Sequence, residues 1–214
     1  CPTETPQPAP TVDNITPEPV RLTRLAWSPD GKVLAVGSET GVYLYDTETW
    51  RETRFIPILR SEYGGAYSLA FSFDGESLAA LTKYQGLSGL QVWRVADGGF
   101  AYELKVTGPF AASPVEGLWA TFGEGNLRSG TLSLWRTSDG QLVRTIATGP
   151  TAPMTMAFSS DGSLIATGPR EDSRPAVWRI TDGQRVAQLN WEMVDIFNWS
   201  YLAFRPNTTM VVAS

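Results

Sequence analysis

One seven-residue pattern returns along this chain, and a chain built of such returns has to hide its apolar faces by stacking copies on one another. The copies are Leu25-Ala26-Trp27-Ser28-Pro29-Asp30-Gly31, Leu69-Ala70-Phe71-Ser72-Phe73-Asp74-Gly75, Met156-Ala157-Phe158-Ser159-Ser160-Asp161-Gly162 and Leu202-Ala203-Phe204-Arg205-Pro206-Asn207-Thr208. Their starts are separated by 44, 87 and 46 residues. The middle interval is two periods, and a degenerate copy fills it: Phe110-Ala111-Ala112-Ser113-Pro114-Val115-Glu116-Gly117, followed by Leu118-Trp119-Ala120.

Each period reads as four strands. The first is the Leu-Ala-aromatic-Ser run, ended by an Asp-Gly turn. The second is short and rich in small residues, as in Val33-Leu34-Ala35-Val36-Gly37, Leu78-Ala79-Ala80-Leu81 and Leu164-Ile165-Ala166-Thr167-Gly168, which suits a crowded central axis. The third alternates and ends in tryptophan in Leu90-Gln91-Val92-Trp93-Arg94, Leu132-Ser133-Leu134-Trp135-Arg136 and Ala176-Val177-Trp178-Arg179; Tyr45 takes that slot in the first period. A second turn follows at Asp97-Gly98, Asp139-Gly140 and Asp182-Gly183, and outer strands such as Leu142-Val143-Arg144-Thr145-Ile146 close each unit. Trp27, Trp93, Trp135 and Trp178 fall at repeat positions and are expected in the core, whereas Trp50 lies in a turn.

These residues resemble the WD40 family, whose blade consensus runs through a Phe-Ser-Pro-Asp-Gly turn to an apolar strand ending in Trp-Asp. The resemblance implies an all-β, WD40-like β-propeller over residues 21–214, with four recognisable blades and a partial fifth. Two departures stand out. The closing aspartate of Trp-Asp survives only as Asp46, with Arg94, Arg136 and Arg179 elsewhere. With no histidine in the chain, the family's Asp-His-Ser/Thr-Trp hydrogen-bond network cannot form, so apolar packing must carry more of the blades. The fifth period stops at Met210-Val211-Val212-Ala213-Ser214 inside its second strand. Rings have about four to eight blades, so continuation past Ser214 is expected; a four-bladed ring with an extra hairpin is the alternative.

The chemistry-bearing residues are few. The absence of histidine removes the commonest general base and transition-metal ligand, and the sole cysteine, Cys1, allows neither an internal disulfide nor a thiolate cluster. The recurring Asp-Gly aspartates read as turn residues, not paired catalytic carboxylates. Residues 123–130 lack the Gly-Lys-Ser/Thr ending of a phosphate loop and open onto a strand, so they read as a hairpin connection. No catalytic, metal or cofactor site is expected. A net charge of −5 without a basic run gives no footprint for nucleic acid.

Residues 1–20 form a separate segment. It begins at Cys1 and holds six prolines in its first nineteen residues, with almost nothing apolar, so it reads as an extended tether. A leading cysteine with a polar, Pro-rich spacer resembles a mature bacterial lipoprotein, which implies a diacylglyceryl group on Cys1; a trimmed chain end is the other reading. Two or more acyl chains anchor stably where one does not. Such a protein would sit on the extracytoplasmic or periplasmic face of a bacterial membrane.

The least repetitive stretch, residues 190–201, carries Trp191, Phe197, Trp199 and Tyr201 and is the candidate partner contact. A loop tucked over a blade edge accounts for it equally. Tyr63-Gly64-Gly65-Ala66-Tyr67 is a second stretch that could line a face of the ring. The expected function is a non-catalytic, lipid-anchored protein-interaction scaffold, serving as an accessory subunit of a larger membrane complex, respiratory or photosynthetic. A small-ligand-binding or sensor propeller is the alternative, and a propeller-type hydrolase a third.

Overall fold

A computed structural model describes residues 21–58, 65–84, 87–106, 108–123, 130–149, 153, 155–168, 174–188, 202–204 and 211–213. Blade 1 comprises β1 (Leu22–Trp27), β2 (Val33–Ser38), β3 (Gly41–Asp46) and β4 (Glu52–Pro57). Blade 2 comprises β5 (Ser68–Phe71), β6 (Ser77–Tyr84), β7 (Leu87–Arg94) and β8 (Phe100–Lys105). Blade 3 comprises β9 (Phe110–Ala112), β10 (Leu118–Phe122), β11 (Gly130–Arg136) and β12 (Leu142–Gly149). Blade 4 comprises β13 (Met156–Phe158), β14 (Leu164–Thr167), β15 (Ala176–Arg179) and β16 (Arg185–Gln188), and β17 (Leu202–Phe204) with β18 (Val211–Ala213) begins a fifth. Each of the four full blades is one antiparallel sheet whose strands lie in chain order. The molecule is thus a WD40-like β-propeller array of four blades plus a partial fifth. First strands meet first strands from blade to blade, β1 with β5, β5 with β9, β9 with β13 and β13 with β17, so they lie innermost.

Strand pairing lines side chains into rows across each blade, since residues two apart share a face. One row reads Phe71–Leu78–Trp93 in blade 2, Ala112–Trp119–Trp135 in blade 3 and Phe158–Ile165–Trp178 in blade 4. This leading face packs on the trailing face of the blade before it. Blade 1 offers Ala35, Val42, Leu44 and Ile56 to Leu69, Phe71, Leu78 and Trp93. Blade 3 offers Ala120, Leu132, Leu134 and Ile146 to Met156, Ile165 and Trp178. The core is therefore a series of inter-blade layers, and Trp93, Trp135 and Trp178 are all buried, as their repeat position requires. Blade 3 exchanges sizes within its row: Ala112 is small where Phe71 is large, and Trp119 fills the space.

Trp27 departs from its expected core place. It is 55% exposed, beside Leu22 and Leu25 at 62% each, because no blade lies against the leading face of blade 1 among the described residues. Its type and register match Phe71, which differs in being covered by blade 1.

The expected loss of the histidine network is partial. Trp135 Nε1 donates to Thr121 Oγ1 at 2.7 Å, and Trp178 Nε1 donates to Thr167 Oγ1 at 3.1 Å. The tryptophan–threonine half of such a network thus stands without histidine, and it satisfies two buried indole donors.

Both turn families have a local cause. In the first turn Ser28 Oγ donates to Asp30 Oδ1 at 2.6 Å and accepts the Val33 amide, with Gly31 at φ 72°. Ser72 with Asp74 and Ser159 with Asp161 repeat it. In the second turn Arg94, Arg136 and Arg179, standing where the family has aspartate, reach three residues on to Asp97, Asp139 and Asp182. Blade 1 builds the same turn differently: Asp46 accepts the amide and hydroxyl of Thr49, and Trp50 occupies the left-handed slot at φ 53°. β10 and β11, the strands on either side of residues 123–130, pair antiparallel; residues 124–129 themselves lie outside the described residues.

Candidate interaction surfaces

In a repeat protein the copies serve as controls for one another, so features confined to one copy, or lying on the outside of every copy, are where function can reside. Three such surfaces emerge.

The first is the leading face of blade 1. Leu22, Leu25 and Trp27 are exposed, and Trp27 meets Trp50 edge to face with ring centroids 6.3 Å apart. In the other blades the outer strand of the preceding blade lies over the second turn. A Cβ on Gly98 would meet Arg54 Cδ at 2.7 Å, one on Gly140 would meet the Tyr102 ring at 2.7 Å, and one on Gly183 would meet Ile146 Cγ1 at 3.2 Å. Arg54 also donates to the carbonyls of Asp97 and Ala96, and Tyr102 to that of Thr137. Among the described residues nothing covers the turn bearing Trp50 in this way, and an indole fits where glycine stands elsewhere.

The second surface is the rim formed by the first turns. Successive turns touch: a Cβ on Gly75 would lie 3.6 Å from Pro29, one on Gly117 3.7 Å from Phe73 and one on Gly162 2.5 Å from Val115. Phe73 and Val115 remain 40% and 45% exposed, and Pro29 is exposed beside them. Blades 1, 2 and 3 therefore each project one apolar side chain along this arc, and blade 4 carries Ser160 there. The sequence carried the signal, Phe73 and Val115 in turn positions that polar residues usually fill, and the reading by repeat position passed over it.

The third is a pocket of about 300 Å3 at the inner edge between blades 1 and 2. It is lined by residues 21–24, by Glu39, and by Ala66 and Tyr67 at the entry to blade 2. Tyr67 thus lines a pocket, while Tyr63 and Gly64 lie outside the described residues. Here β1 carries a register break between Leu22 and Arg24 that places Thr23 on a bulge; the first hairpins of blades 2, 3 and 4 pair without a break. The Thr23 hydroxyl oxygen is shut off from solvent and has no hydrogen-bond partner, the one such side-chain atom among the described residues.

Cys1, Trp191, Phe197, Trp199 and Tyr201 lie outside the described residues. The turn aspartates are not poised for proton transfer. Hydroxyls hold Asp30 and Asp161 below the ordinary carboxylate range, Arg94 does so for Asp97, and the amides of Gln141 and Gln184 do so for Asp139 and Asp182. Each carboxylate is held ionised by its own turn.

Residues 17–46 match the WD domain, G-beta repeat family. That stretch is the opening of the array, with the first Asp-Gly turn and the third strand of blade 1. WD40 repeats are protein-interaction modules, generally scaffolds without catalysis of their own. Two curated proteins are similar to the chain: "Telomerase protein component 1" of Mus musculus and its namesake of Rattus norvegicus. Each is 34% identical over 152 residues, covering 68% of this chain and 5% of the relative. The chain thus spans about a twentieth of the length of these relatives.

Proposed function

We propose that the chain is a non-catalytic interaction scaffold, held by a lipid on Cys1 at the outer side of a bacterial membrane as an accessory subunit of a larger membrane complex. The observation that carries the scaffold reading is the rim arc of Pro29, Phe73 and Val115, since exposed apolar groups in line favour association with a protein surface. The Cys1 and Pro-rich start supports the anchor. The leading face of blade 1 is the seat of a further blade of the same polypeptide, because three internal layers already seat such a face on a blade. Likeness to a telomerase component supports membership of a multi-subunit assembly; a net charge of −5 argues against direct contact with nucleic acid.

Intact mass of the protein from its native membrane tests the anchor: a diacylglyceryl addition on Cys1, with release by Cys1→Ser, is expected, and an unmodified Cys1 overturns it. Phe73→Asp with Val115→Asp tests the surface. Co-purifying subunits should be lost while the melting transition stays within a few degrees. Retention of those subunits by the folded variant overturns the rim as the contact.

A further inference from the structure

The Thr23 hydroxyl is an anomaly in a chain whose other buried side-chain polar atoms, among the described residues, are satisfied. A buried polar group without a partner costs stability, so an ordinary strand would carry valine there. The surroundings explain why threonine is held. β-bulges re-aim side chains and gather at the edges of binding sites, and this one lies where β1 runs on past the repeat position at which the first strands of the other blades begin. Gly37 on the paired strand leaves room for it: a Cβ there would stand 3.0 Å from Thr23 Oγ1 and 3.3 Å from the Arg24 carbonyl. Thr23 itself lines the pocket, and rotation about its Cα–Cβ bond carries the hydroxyl between staggered positions.

The charge of the pocket runs against that of the chain. Arg21 and Arg24 both line it, and only Glu39 opposes them, loosely, with Arg21 Nη1 4.0 Å from Glu39 Oε1. Arg24 gives one guanidinium N–H to the Thr23 carbonyl at 2.8 Å and makes no ion pair among the described residues. A guanidinium fork with spare donors, beside a hydroxyl, matches the two oxygens of a carboxylate. The volume sits at the small end of ligand pockets, which run from about 300 to 1,000 Å3.

We propose that this pocket binds the carboxylate of a small organic acid, with Arg24 as the charged partner, Thr23 as the hydroxyl donor and Arg21, released from Glu39, as the second cation. Glu39 sets the balance, since a bound carboxylate competes with it for Arg21. The site lies between blades 1 and 2, away from the rim arc, so it stands independently of the scaffold reading.

The test is titration of the 15N-labelled 214-residue chain with succinate at fixed ionic strength, followed by amide shifts at residues 22–24, 39, 66 and 67. Saturable shifts there are expected. Thr23→Val and Arg24→Gln should each weaken them about tenfold or more, the equivalent of one charge-assisted hydrogen bond. A second readout separates binding from mere structure. Thr23→Val removes an unsatisfied buried hydroxyl, so without succinate it should melt at the same temperature or higher. Shifts that sodium chloride reproduces, or that both variants retain, overturn the proposal, as does a lower melting temperature for Thr23→Val.

Discussion

Blades 1 and 3 invert what their sequences suggest. Blade 1 carries the stretch that matches the WD repeat model, with its Ser-Pro-Asp-Gly turn intact. Yet Leu25 and Trp27 on its leading face are more than half exposed. Blade 3 has lost the turn aspartate and the first-strand aromatic, and its row Ala112–Trp119–Trp135 is nonetheless packed, with Trp119 wholly buried. Burial in a stacked array depends on the neighbour and on the volume shared across a row; fidelity to a motif does not fix it. A copy can drift as long as its row keeps its volume.

The strongest way to break this comparison is to empty the blade 3 row. Trp119→Ala should cost about 3–5 kcal/mol, the range for large buried aromatics. For a domain of this size each kcal/mol lowers the melting point by about 2–4 °C. Compensation sharpens it: Trp119→Leu with Ala112→Phe rebuilds the blade 2 arrangement and should recover much of what Trp119→Leu loses alone. A double variant whose loss is the sum of the single losses would show that the two positions do not share volume.

A smaller effect lies where blade 2 clasps blade 3. Trp119 Nε1 donates to the Tyr102 hydroxyl at 3.0 Å, and that hydroxyl donates to the Thr137 carbonyl at 2.6 Å. Tyr102→Phe leaves the indole donor buried without a partner and should cost about 1–3 kcal/mol in denaturant melts. The phenol also leaves a pH signature. Burial pushes its pKa up from 10.0 to about 12. Between those values the unfolded chain loses the proton and the folded chain keeps it. This contribution is fully present below pH 10 and falls away as pH rises toward 12. Tyr102→Phe should remove that part of the alkaline loss, read as a flatter stability profile between pH 10 and 12 than the parent shows.

Much of this fold was legible from spacing alone. Tryptophan at the end of the third strand, small residues in the second and Asp-Gly turns at two points place most inner strands of the first four blades, while the outer strands β4 and β8 carry no such marker. The failures have physical reasons. Periodicity predicts a core place for Trp27 because it reports the face a residue occupies and says nothing of whether another layer covers it. The arginines at 94, 136 and 179 looked like lost aspartates, although each simply moves the negative partner three residues along. The pocket was invisible because it depends on one register break in β1, and no composition or period signals a bulge. Of the candidate stretches, only Gly65, Ala66 and Tyr67 fall within the described residues, at this same inner edge.

The smallest expected effect is the one that separates neighbour from motif most cleanly. In the 214-residue chain Trp27→Ala should change stability by no more than about 0.5 kcal/mol, the usual range for exposed positions. Its edge contact with Trp50 offsets little, because both rings are open to water. The equivalent position in blade 2 is Phe71, only 6% exposed, where Phe71→Ala should cost about 3–5 kcal/mol. If a further blade of the same polypeptide covers blade 1, the longer chain should treat Trp27 as this one treats Phe71. Measuring Trp27→Ala in both lengths therefore reads the missing layer directly. A large cost in the long chain and almost none in the short one would assign the exposure to an absent neighbour. Near-zero cost in both would leave Trp27 and Trp50 as a permanent surface, free for a partner, and the ring would have to close elsewhere.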